Sequence, residues 1–238
     1  RSEDILFCVD VDVESKVEMK AHGPNGRPTT RLYAIKQAVL SFVNSKLNIN
    51  PDHRFSFASF GSELRWVRRE FSNQIPSAVA EVQALTAADS SYGKADLTLL
   101  FKMAAYEAKK SQQQGRIFRV ILIYCRSSTP PEHRWPVNEK NFTLDVVYLH
   151  DKPSTENCPQ RVYDRLVDAL EHVTQHEGYI LESGQGLSRV VIRHLSMLLC
   201  HPDQRCIQDD LDIPKSLMRR TVVQAESVGT EESTVSTS

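Results

Sequence analysis

No apolar run in this chain of 238 residues approaches the ~20 needed to cross a bilayer. The N-terminus also lacks the basic-then-apolar order of a signal peptide. The chain is therefore expected to be soluble, in the cytoplasm and nucleus, with no membrane partner. Charge of one sign is missing too: 29 Lys and Arg face 30 Asp and Glu, for a net charge of −1. That balance gives no global field for holding nucleic acid. The short clusters Arg65, Arg68, Arg69 and Arg219, Arg220 are interrupted by acids and read as solvated faces. The five cysteines, Cys8, Cys125, Cys158, Cys200 and Cys206, show no CxxC spacing, and an odd number cannot pair completely. Reduced thiols are expected. Cys200, Cys206, His194 and His201 match no usual zinc spacing.

Several catalytic signatures are absent. There is no GxSxG elbow, no Walker loop and no HExxH. The turn at residues 183–189 reads as the start of a helix rather than an anion cradle. Cys125 ends a strand and His133 follows it, yet nothing in the sequence fixes the two within reach of each other. No internal repeat is visible. The chain is read as a non-enzyme with no cofactor.

The patterns that are present alternate between strand and helix. Residues 5–11 and 119–124 are dense apolar runs suited to strands buried on both faces, the second at the centre of a sheet. Leu32, Ile35, Val39, Phe42, Val43 and Leu47 recur at helical spacing, with Thr30 as cap. Residues 54–60 and 63–70 form a hairpin whose second strand lies at a sheet edge. Helices over 76–85, 96–108, 162–173 and 187–198 and strands over 142–149 and 178–182 complete the series. This order predicts a doubly wound α/β domain: a mostly parallel sheet, helices on both faces, one antiparallel edge strand. The domain is expected over 1–200, followed by a partner-binding or docking segment over 201–224 and a disordered tail from 225.

Ligands of such a fold bind beyond the carboxyl ends of the strands. There the first strand delivers Asp10, Asp12 and Glu14. The segment resembles the Asp-x-Ser-x-Ser metal motif of von Willebrand factor A domains, with carboxylates at both hydroxyl positions. Two further loops complete that motif, and the resemblance calls for a Thr where this chain has Ala95 and an Asp where it has Cys125. The metal site is therefore expected to be degenerate. Three readings of the acidic cluster remain open: a solvated loop left from a degraded site, which is the expected one; a Ca²⁺ or Mg²⁺ site completed by Asp89 or Asp96; and an acid/base pair. The second would make the chain a metal-dependent ligand-binding module.

Two segments are candidates for contacting a partner protein. The loop over 127–136 carries Arg134 and Trp135 among prolines, residue types found at interface hot spots. Residues 208–218 space Leu211, Ile213, Leu217 and Met218 among charges, as in a segment that orders on a partner. Packing on their own domain is the alternative for both, as it is for Trp66 on the edge strand.

The strings Phe7-Cys8-Val9-Asp10-Val11-Asp12, Arg54-Phe55-Ser56-Phe57-Ala58-Ser59-Phe60 and Val120-Ile121-Leu122-Ile123-Tyr124-Cys125-Arg126 carry a more specific likeness. Over about residues 4 to 218 the chain resembles the von Willebrand factor A-like scaffold subunits shared by the BRISC deubiquitinase and the BRCA-one A complex. The resemblance implies a non-catalytic adaptor in ubiquitin signalling and the DNA damage response. Its implied partners are the brain and reproductive organ-expressed subunit, contacted directly, an Abraxas-type scaffold, and a JAMM-family zinc protease specific for lysine-sixty-three-linked ubiquitin chains. A contact with ubiquitin itself is left open. The loss of ligands at Ala95 and Cys125 agrees with a fold used for assembly.

Overall fold

The computed structural model describes residues 1–21, 26–136, 139–211 and 215. In chain order the strands are β1 (Glu3–Asp10), β2 (Glu18–Met19), β3 (Thr29–Thr30), β4 (Arg54–Phe60), β5 (Leu64–Ser72), β6 (Ile117–Tyr124), β7 (Thr143–Leu149) and β8 (Ile180–Ser183). The helices are α1 (Arg31–Ile49), α2 (Ile75–Gln83), α3 (Thr98–Gln113), α4 (Pro159–Val173) and α5 (Ser188–Met197).

Every residue of β1, β6 and β7 is buried, which is why these strands read as nearly continuous apolar runs. They form the centre of a six-stranded sheet ordered β5-β4-β1-β6-β7-β8. All neighbours pair in parallel except β4 and β5. Alternate side chains serve two cores. Leu6, Cys8, Val120 and Leu122 pack with Leu100, Phe101, Leu166 and Leu170 of α3 and α4. Ile5, Phe7, Val9, Ile121 and Ile123 pack on the other face with Ile35, Val82 and Leu195 of α1, α2 and α5. Phe7 stacks on Phe57 of the neighbouring strand at 5.8 Å and meets Phe42 of α1 edge-on at 5.3 Å. The doubly wound α/β class and its antiparallel edge strand are as the periodicity predicts.

The differences lie at the ends and in short elements. Thr30 caps α1 as expected, its Oγ1 accepting from the Tyr33 N–H at 3.1 Å. α3 begins at Thr98 because the Asp96 carboxylate accepts the Thr98 N–H at 2.9 Å and terminates the preceding extended segment. The antiparallel β2–β3 pair and the 3-10 turns Val13–Lys16, Pro202–Gln204 and Gln208–Asp210 are too short to leave a period in the sequence.

Beyond α5, residues 202–211 lie on their own domain. Arg205 forks onto the buried Asp145 of β7 at 2.6 and 2.7 Å, with its guanidinium over the Tyr179 ring at 4.5 Å. Asp145 also pairs with Arg119, whose second partner is Glu3, itself bonded to Lys46. Gln208 then closes the β8 edge. Its buried amide accepts from the Ile180 N–H and donates to the Ile180 carbonyl, both at 2.8 Å, as a neighbouring strand would. Leu211 packs against the α1/α2/α5 core. The partner candidates Ile213, Leu217 and Met218 lie outside the described residues.

Candidate functional site

The strand order reverses between β1 and β6, and this topological switch opens a crevice beyond their carboxyl ends. β1 ends at Asp10 and β6 at Tyr124, so Asp10 faces the chain as it leaves β6 through Cys125 and Arg126. The strand does not continue past Asp10. Asp12 caps the 3-10 turn over Val13–Lys16, its side chain accepting the Glu14 N–H. The three carboxylates nevertheless share one site.

Asp10 and Asp12 are shielded from solvent and Glu14 is half-buried, which corrects the expectation of a solvated loop. Asp10 is fully buried and Asp12 is 1 % exposed. Each carboxylate binds backbone N–H groups of a neighbouring loop. Asp10 accepts from the N–H of Asp12 at 3.0 Å and of Cys125 at 2.9 Å. Asp12 accepts from the N–H of Tyr92 at 2.9 Å. Glu14 accepts from the N–H of Ser127 at 2.7 Å. The acids therefore tie three loops together with charge-assisted hydrogen bonds.

The cation that balances them is Arg126. Its Nε lies 3.2 Å from both Asp10 carboxylate oxygens, and Nη2 lies 3.1 Å from Oδ1. Nη1 donates to the Lys94 carbonyl at 2.8 Å, and Nη2 also donates to the Gly61 carbonyl. Asp12 Oδ1 sits 3.8 Å from Nε. Rings of Phe60, Tyr92 and Tyr124 surround the guanidinium at 5.2, 5.6 and 5.5 Å. From the third loop, Arg126 thus gathers oxygen atoms of the Asp10 loop, of Lys94 in the second loop and of Gly61 in the β4–β5 turn.

Burial opposes the charge on both partners. It pulls the Arg126 guanidinium down, but Asp10, Tyr124 and Asp12 together outweigh it and hold the group above its ordinary value. It pushes the Asp10 carboxyl up against Arg126 and the two backbone donors. Every group bonded to Asp10 is a donor, so a carboxyl proton would have no acceptor, and the pair is read as carboxylate and guanidinium. Burial likewise pushes Glu14 up, opposed by the Ser127 N–H and Arg31. Arg31, at the start of α1, bonds the Glu14 and Cys125 carbonyls at 3.3 Å and Asp151 at 2.7 Å.

These residues do not fit a divalent ion. Mg²⁺ and Ca²⁺ need open oxygen lone pairs and room for water, whereas those of Asp10 are spent on N–H donors and Arg126. Among the described residues no group of three His, Cys, Asp or Glu side chains is arranged to hold a metal. Ala95 offers only a backbone carbonyl, which accepts the Glu132 N–H at 2.8 Å. The helpers considered for a metal are engaged elsewhere, Asp89 with Lys16 at 2.6 Å and Asp96 with Thr98.

Cys125 is fully buried, and burial pushes its thiol far up, so no thiolate forms near neutral pH. His133 is half-buried against Phe101 and His172, on the opposite sheet face from Cys125. The Cys–His pair is therefore not assembled. Of the loop candidates, Arg134 is exposed beside a cleft of about 500 Å³ lined also by Lys94, Glu132 and Arg165. Trp135 is half-buried against the α3/α4 core, its carbonyl 2.7 Å from His172 Nε2. Arg126 is the residue that sequence reasoning missed. Its signal was present: the third loop loses an acidic ligand at Cys125 and gains a cation at the next position.

No family model and no curated protein matches the chain. Among solved structures it is similar to a D319A mutant of the PilB minor pilin from Streptococcus sanguinis, with a TM-score of 0.55 and 8% identity. That match covers 83% of this chain and 60% of the pilin chain. The SpRpn10 VWA domain matches with a TM-score of 0.49 and 14% identity over 80% of this chain and 94% of that one. A von Willebrand factor type A structure from Catenulispora acidiphila gives 0.49 and 11%, over 83% and 42%. At these identities the likeness concerns the fold alone. The fold is a doubly wound α/β sheet with its crevice at the β1/β6 switch, here closed by an arginine.

Proposed function

We propose that this chain is a non-catalytic scaffold subunit that stabilises deubiquitinase assemblies of the BRISC and BRCA-one A type. Arg126 carries the reading. A guanidinium fixed on Asp10 takes the place at which a metal would capture a ligand, and it locks three loops into one rigid edge. A surface held without exchangeable ions suits a constitutive assembly role. The protonated, buried Cys125 supports the same reading.

The direct partner is the brain and reproductive organ-expressed subunit. An Abraxas-type scaffold and the JAMM-family protease that cleaves lysine-sixty-three-linked ubiquitin chains share the assembly, and zinc chemistry belongs to that protease. The Arg134–Trp135 loop and the segment from Leu211 onward are the contact elements. The test is affinity capture of the tagged chain from eukaryotic extract with mass spectrometry, run with Mg²⁺ and with excess chelator. Equal recovery of these subunits in both is expected. Recovery only with Mg²⁺ would restore the metal-dependent reading, and recovery of none would refute the proposal.

A further inference from the structure

A cluster of exposed cations lies on β5 and the outward face of α3. Arg69, Lys102, Lys109 and Lys110 are all exposed there. The carboxylate among them is Glu107, which is buried and holds Arg69 at 3.0 Å and Lys110 at 3.1 Å. Lys102 and Lys109 have no ion-pair partner among the described residues. The chain as a whole carries −1, so this face is a local excess of positive charge. By contrast, Arg68 on the same strand is balanced by Glu70 and Glu81 at 3.4 Å.

The cations are organised around two aromatic rings. The Arg69 guanidinium stands 5.8 Å from Trp66 and 5.3 Å from Tyr106, and Lys110 Nζ is 5.3 Å from Tyr106. Tyr106 is 53% exposed. Glu107 fixes Arg69 and Lys110 from below while both remain about half exposed, so little side-chain entropy is left to lose on binding. Trp, Tyr and Arg in this arrangement are the residue types that dominate interface energetics.

β5 is also the terminal strand of the sheet, so among the described residues the N–H and C=O groups along its outer side have no ladder partner. We propose that the β5–α3 face docks an extended acidic segment of a partner protein, which pairs with the β5 edge and seats its carboxylates among Arg69, Lys110, Lys102 and Lys109. Charge complementarity selects an acidic occupant. The free edge selects a polypeptide, because only a backbone of N–H and C=O groups continues the ladder. The proposal does not rest on the deubiquitinase reading.

The test uses the full chain and a fluorescent ten-residue peptide of alternating Glu and Val, followed by anisotropy and by amide NMR shifts. Saturable binding is expected, weakened by salt, with shifts confined to β5 and α3. Arg69→Ala should lower affinity at least about tenfold, the loss of one charge-assisted contact. Lys102→Glu/Lys109→Glu, at exposed positions outside the core, should do the same without touching the fold. An alternating Lys/Val peptide should not bind. Binding unchanged by both variants would overturn the proposal, as would absence of binding, or tighter binding of single-stranded oligodeoxythymidylate or phosphatidylserine vesicles.

Discussion

Replacing Arg126 by Ala should be among the most costly single changes in this protein. The side chains of Arg126 and Asp10 are 1% and 0% exposed, so removing the guanidinium leaves a carboxylate in a buried site. The Lys94 and Gly61 carbonyls lose their donors at the same time. Breaking a buried pair in this way costs about 3–5 kcal/mol. For a domain of this size that corresponds to a fall in Tm of roughly 6–20 °C. Urea unfolding of wild type, Arg126→Ala, Asp10→Asn and the double variant Asp10→Asn/Arg126→Met measures it. The double variant should be less destabilised than the sum of the single effects, because removing both charges strands neither. A loss below about 1 kcal/mol for Arg126→Ala, or strict additivity, would refute the account of this pair.

Other consequences can be checked with the same protein. In Arg126→Ala the place left beside Asp10, Asp12 and the Gly61 and Lys94 carbonyls presents oxygen to a hard cation, so millimolar Ca²⁺ should raise the Tm of that variant and not of wild type. Gln208→Ala removes both bonds to Ile180 and leaves a buried N–H unsatisfied. It should cost about 1–3 kcal/mol and speed hydrogen exchange at the Ile180 amide, and unchanged protection would count against the strand-mimic role of Gln208. Burial pushes His53 and His194 down to about 4 from 6.5. The unfolded chain therefore binds more protons between those values, and the contribution of each histidine to stability is complete above pH 6.5 and is lost as pH falls towards 4. The slope approaches about 1.4 kcal/mol per pH unit per histidine. NMR titration should find both rings neutral at pH 5.5, and a midpoint near 6.5 would contradict this.

The fold was legible because its centre is made of strands buried on both faces. β1 and β6 stand out as apolar runs, and α1 and α4 show one apolar stripe each, so period and order alone give the doubly wound class. What escaped was set by contacts distant in sequence. Gln208 reads as one polar residue in a charged stretch, yet it serves as a strand partner for a residue 28 positions earlier. The acidic cluster was placed correctly, but its state was misread, because burial of Asp10 depends on Arg126, 116 residues away. A cation next to a missing acidic ligand was the legible sign of that exchange. The pairing itself follows from topology, since β1 and β6 are neighbours only once the sheet is wound.

Calorimetric titration of the wild-type chain with Mg²⁺ and Ca²⁺ tests most directly whether Arg126 holds the metal's place. No saturable heat is predicted at millimolar metal, because the guanidinium already neutralises Asp10 and occupies the Lys94 and Gly61 carbonyls. Saturable binding that Asp10→Asn abolishes would contradict that claim.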